Sequence, residues 1–279
     1  MFPRCLPLSC LLVASCLVAQ DTSPEKLPRE SGGEPATELA APAELETFLI
    51  LPLRMIRLRS ESFAAANCAL QDQDCERILT KVNRVWAVAG ICFGLEAIDE
   101  APANVEQFQR GFQRREPNAN EAADDAWLHD RTSASFRDLI PAIPCEFAGF
   151  RVYYIQEFDV NGIYYGRREA MVKATARLKP VPGGIDEPLP RVTAHELGHG
   201  LGLAHRQDRL NLMASGTTGT SFIREEVEQA RAVALKIPGV IRYADLPDLL
   251  SQETNAERKA LLERWRQAAQ VQATPRDSD

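Results

Sequence analysis

The chain has 279 residues, of which 45% are hydrophobic and 25% charged, within the ordinary range for a globular protein of one sizeable or two small domains. With 32 Lys and Arg against 39 Asp and Glu, its formal net charge is −7. That excludes the basic face by which a nucleic-acid binder is recognised and otherwise speaks only to solubility.

Read from its start, Arg4 precedes an almost wholly apolar run, Leu6 to Val18, and polar sequence begins at Gln20. The run is too short to cross a bilayer comfortably and has the layout of a secretory signal over residues 1–19. Two processing routes stay open. A signal peptidase can cut after Ala19, or Val13-Ala14-Ser15-Cys16 can act as a lipobox that leaves a lipid anchor on Cys16. Either route exports the protein, to be secreted or held in the cell envelope. Residues 20–44, rich in Pro, Glu, Ser, Gly and Ala, read as a disordered spacer. Outside the signal lie Cys68, Cys75, Cys92 and Cys145, an even number that in an exported chain suggests two disulfides. Sequence proximity favours Cys68–Cys75 with Cys92–Cys145. A zinc knuckle fits less well, because no C-x-x-C pair starts one.

A domain over 45–240 follows, then a helical extension over 241–279. The run from Phe48 to Leu58 reads as a strand. Ile78, Leu79, Val82, Val85, Trp86 and Ala89 recur at helical spacing, with Gly90 as a stop, and Ile91 to Ile98 forms a second strand. Short helices are expected near Val105–Arg114 and Ser135–Ile140. Phe150–Phe158 is a strand closed by turn residues 159–162, and Ala170–Leu178 alternates as a strand with one solvated face. A Pro/Gly-rich loop over 180–190 leads to helices near 191–201, 224–235 and 256–269.

The chemistry is concentrated in HELGHGLGLAH, residues 195–205. His195 and His199, four apart, stand on one helical face and reach one ion. Glu196 projects beside them, free to hold a water instead of ligating. Gly202 can take the left-handed conformation that breaks the helix, so that His205 returns as third ligand. Three neutral imidazoles leave a fourth position open, the arrangement of catalytic Zn2+. Five fixed positions arise by chance in a chain of this length about once in ten thousand. Surface histidines on an ordinary helix are the alternative, but three of the chain's four histidines lie here. The fourth, His129, sits in an acidic stretch and reads as a surface residue.

These residues resemble the metzincin clan of zinc peptidases, whose pattern is H-E-x-x-H-x-x-G-x-x-H followed by a methionine in a tight turn. Met213, in NLMASG, lies at a spacing similar to that of matrixins. The resemblance covers about 48–236 in outline and is specific at 191–213. It implies an α+β, zincin-like metallopeptidase fold: a mixed twisted sheet, an active-site helix and a smaller C-terminal subdomain, with the cleft between. It implies a zinc-dependent endopeptidase in which His195, His199 and His205 hold the metal and Glu196 is the general base, acting on protein or peptide substrates. The histidines for a second, structural zinc are missing, and neither a cysteine switch nor an extra tyrosine ligand is supported.

Two other readings stay open: a zinc-binding, catalytically inactive interaction protein of the same fold, and a lipid-anchored binding protein whose zinc only joins two subdomains. For an active enzyme, an extended peptide is expected to add to the edge offered by Met171–Leu178. Ala214 to Ser221 would wall the pocket beyond the scissile bond, with Phe222 closing it.

Overall fold

The computed structural model describes residues 43–113, 133–142 and 147–273. The signal, Cys16, most of the spacer, His129 and Cys145 lie outside them. Among the described residues no helix is long and apolar enough to cross a membrane.

The fold is mixed α+β. Strands β1 (Leu49–Arg59), β2 (Ile91–Pro102), β3 (Phe150–Ile155), β4 (Gly162–Gly166) and β5 (Glu169–Lys173) form a sheet in the order β2-β1-β3-β5-β4. A short β6 (Ile241–Arg242) joins antiparallel to the start of β1. The β1–β2, β1–β3 and β3–β5 pairs are parallel, while β4 returns antiparallel to β5. Strand β1 is near-continuously apolar because it is central and covered on both faces. Leu49, Leu51, Leu53 and Met55 point into one core, Phe48 and Ile50 into a second, and Ile56 and Leu58 into a third.

The first core lies between the sheet and two helices, α1 (Asp72–Trp86) and α3 (Pro188–Gly200); a shorter α2 (Val105–Gln113) lies elsewhere in the chain. At the start of α1, the Asp74 carboxylate accepts the Gln71 N–H at 2.9 Å. The helix gives way to a 3-10 turn that stops at Gly90, φ 61°. Buried Asn83 accepts the Phe93 N–H at 2.7 Å and donates to the Phe93 carbonyl at 3.0 Å, standing in for a neighbour on edge strand β2. Helix α3 is fixed to α1 by the Trp86 indole N–H on the Ala194 carbonyl, 3.2 Å, and to β3 by the Tyr154–Thr193 hydroxyl pair, 3.2 Å. Lys81 pairs with Asp186 at 2.8 Å and Glu187 at 3.0 Å, and Arg77 also meets Glu187, anchoring the helix start.

Helix α4 (Arg224–Ala234) follows the site, and α5 (Leu246–Gln252) and α6 (Ala256–Ala273) end the described chain. These last two helices cover the other face of β1 and β2. Trp265 lies flat on Gly94, where a Cβ would stand 2.6 Å from its ring, and donates to the Leu95 carbonyl at 2.9 Å. Residues 241–273 thus help build the sheet's second core.

The disulfides expected from sequence need correction. Cys68, Cys75 and Cys92 are buried free thiols. Cys68 and Cys75 belong to the core under α1, whereas Cys92 faces Trp265 on the opposite side of the sheet. Burial pushes the Cys75 and Cys92 thiols up to about 12, so neither is a ready nucleophile.

Candidate metal centre

Two prolines start α3 and Gly202, φ 85°, ends its last turn, with the Gly202 N–H on the His199 carbonyl at 3.0 Å. The break returns His205 to the helix. The Nε2 atoms of His195, His199 and His205 then lie 3.1–3.2 Å from one another.

Their tautomers follow from their neighbours. His195 Nδ1 lies 2.8 Å from the Leu212 carbonyl and His199 Nδ1 2.9 Å from the Leu203 carbonyl, so each carries its proton there. Two unprotonated Nε2 lone pairs therefore face each other, a repulsive arrangement unless a cation sits between them. Zinc–nitrogen distances near 2.0–2.1 Å place tetrahedral ligands about 3.3 Å apart, close to the spacing here. The donor set fits a metal and is consistent with zinc. Burial holds His195 and His199 below the usual histidine range, so both are neutral and ready to ligate at pH 7.

Glu196 is 5% exposed, with its carboxylate against Gly162 of β4; a Cβ on that glycine would stand 2.6 Å from Oε1. Burial pushes this carboxyl up to about 8, and the Arg191 charge opposes the rise. A bound cation would oppose it further.

Beneath the site, the Met213 thioether packs under Gly198, where a Cβ would meet the sulfur at 2.7 Å. Three residues that sequence reasoning missed hold this methionine loop. Arg191, one turn before His195, donates to the Leu212 carbonyl at 2.7 Å, the Gly219 carbonyl at 3.2 Å and the Asn211 carbonyl at 3.4 Å, and also to the Ala214 carbonyl. The Leu212 carbonyl thereby serves both Arg191 and His195. Asn211 accepts the Met213 N–H at 2.6 Å and donates to buried Glu226 of α4 at 2.7 Å. The sequence carries one signal for this: an arginine in the apolar turn PLPRVTAH, four places before His195.

The edge expected to take the substrate is placed differently. Met171–Leu178 offers no free edge, because β5 ends at Lys173 and lies between β3 and β4. The sheet edge beside Glu196 is β4, which the sequence shows only as residues after a turn. In the Ala214–Ser221 stretch Ser215 and Gly216 are exposed and Thr217 and Thr218 buried; the Lys179 N–H meets the Gly216 carbonyl at 2.9 Å, and the Ile185 N–H the Thr218 carbonyl at 3.0 Å. Phe222 packs in the core, with its ring centroid 4.8 Å from that of Trp86.

The chain is distantly similar in structure to a zinc-dependent peptidase. That protein, from Methanocorpusculum labreanum (strain Z), shares 15% identity over 65% of this chain and 99% of its own, with a TM-score of 0.29. A chain described in the structure of a chaperone–substrate complex shares 11% identity over 68% of this chain, with a TM-score of 0.37. The present chain spans about a third of that protein, 35%. At such scores these are likenesses of outline and carry no chemistry. No protein-family model matches the chain. No curated protein matches it in sequence.

Proposed function

We propose that the protein is a zinc-dependent endopeptidase of the metzincin kind, matrixin-like in the spacing of Met213. The observation that supports this reading most is the convergence of three Nε2 atoms next to a buried glutamate that lies outside their cluster. His195, His199 and His205 would hold the metal. Zinc, when bound there, supplies an activated water and polarises the scissile carbonyl.

The remaining steps belong to the chain. Glu196 takes a proton from the attacking water and passes it to the leaving amine nitrogen as the C–N bond breaks. Its placement against the backbone of β4 lets an extended peptide lie along that edge with its scissile carbonyl near the carboxylate. Gly162 keeps the approach free of a side chain. Export and a lipid on Cys16 remain part of the proposal and rest on residues 1–19 alone.

The test is Glu196→Gln. The variant should bind one zinc with the parent's affinity and lose peptide hydrolysis by at least about 100-fold, the lower range for a lost general base. A variant that cleaves denatured casein at a rate near the parent's would remove Glu196 from this role. A parent that binds zinc and cleaves nothing would favour the inactive interaction protein.

A further inference from the structure

Strands β4 and β5 are joined by Arg167 and Arg168 alone, since Gly166 pairs with Glu169. Both arginines have positive φ, 52° and 61°. A two-residue hairpin with both central residues in that region is the turn that Asn-Gly or Gly-Gly fills at little cost. Two side chains with a Cβ strain it. The chain therefore keeps two cations at a turn that uncharged residues would make more stable.

Neither cation is used inside the described structure. Glu169, the adjacent acid, is engaged by Arg151 at 3.0 Å and Arg137 at 3.4 Å. Among the described residues neither Arg167 nor Arg168 forms an ion pair, and Arg168 Nε is enclosed without a hydrogen-bond partner.

Their position gives them a use. Strand β4 begins at Gly162 against Glu196 and passes Tyr164, whose ring lies 3.1 Å from where a Gly200 Cβ would stand. At about 3.3 Å per residue, the turn lies roughly 16 Å along the edge from Glu196. Among the described residues the backbone there is open: a Cβ on Gly166 meets none of them within 4 Å. We propose that Arg167 and Arg168 form a subsite for acidic side chains, which takes Asp or Glu of a peptide laid along β4 four to five residues from its scissile bond. The proposal rests on the peptidase reading and names a substrate class for it. With a net charge of −7, the chain as a whole offers acidic peptides no attraction, so the preference is local.

Full-length, zinc-loaded protein is assayed on fluorogenic twelve-residue peptides matched except for Glu-Glu or Lys-Lys at that distance, before the bond in one pair and after it in another. On one side the Glu-Glu peptide should be cleaved with a kcat/KM about five- to tenfold higher, the combined effect of an exposed ion pair at Arg167 and a half-buried one at Arg168, and 0.5 M salt should shrink the ratio. In the double variant Arg167→Asn, Arg168→Gly the ratio should fall toward one while Tm rises by about 2–4 °C, because the strain is gone. Equal cleavage of both peptides on both sides, or a ratio kept by the variant, overturns the subsite. Binding of labelled peptides to the zinc-loaded Glu196→Gln protein separates the two readings. Tighter Glu-Glu binding without cleavage by the parent keeps the subsite and removes the peptidase. No cleavage and no binding preference remove both.

Discussion

Arg191 keeps a full charge at 2% exposure with backbone carbonyls as its partners. Arg191→Met would strand several of those acceptors at about 1–3 kcal/mol each, so a total loss near 3 kcal/mol is expected. Thermal denaturation should fall by about 6–12 °C. Zinc affinity should drop with it, since the Leu212 carbonyl that orients His195 loses its other donor. Titration of the metal-free protein gives a second check. Glu196 is raised to about 8, so its contribution is full below the unfolded pKa and is lost as pH rises through 8. His195 and His199 are depressed, so below about 6.5 the unfolded chain takes up two protons that the folded chain refuses. Two histidines outweigh one glutamate there, and metal-free stability should peak near pH 6.5 and decline on both sides. A Tm that rises steadily from pH 5 to 9 would contradict these shifts. The convergence of His195, His199 and His205 was legible because contiguous spacing encodes it. Arg191, Asn211 and Glu226 were not, because their partners lie 15–28 residues along the chain and meet only after folding.

Strand β4 is the element on which catalysis should depend most closely. Gly162→Ala would place a Cβ 2.6 Å from both Glu196 Oε1 and Val192 Cγ1. The expected result is full zinc occupancy with kcat/KM down by about 100-fold, as a displacement near 1 Å can cost; a fully active, zinc-loaded variant would sink the assigned placement. The long strands and the longer helices showed in the sequence, with ends off by a few residues, whereas α5 was not singled out within the helical extension. Strand β4 did not, because GIYYG is short, bounded by glycines and followed by two arginines where turn residues are expected. The alternation from 174 to 178 misled for a different reason. Ala174, Ala176 and Leu178 do pack on the core, but from irregular backbone. Spacing also misled for the cysteines: Cys68 and Cys75 do share a core, as their proximity suggests, but as separate buried thiols.

At the scale of the molecule, metal binding at these histidines would be coupled to folding. Three converging imidazoles from α3 and the loop after it exist as a site only in the folded chain. Zinc at a thousand times its Kd should stabilise that state by about 4 kcal/mol. A chelator should then lower Tm by about 8–16 °C, and a midpoint indifferent to chelation would mean that the three histidines hold no ion. The C-terminal helices add a constraint of another kind. Trp265 seals Gly94 and Leu95 of β2, and β6 pairs with the start of β1, so these strands are covered by a segment made up to 170 residues later. Synthesis runs at about 5–20 residues per second, which leaves an apolar sheet face bare for roughly ten seconds or more after β2 emerges from the ribosome. During that interval the nascent chain is a client for whatever guards unfinished proteins, and a message truncated before residue 256 would yield a product that never leaves that custody.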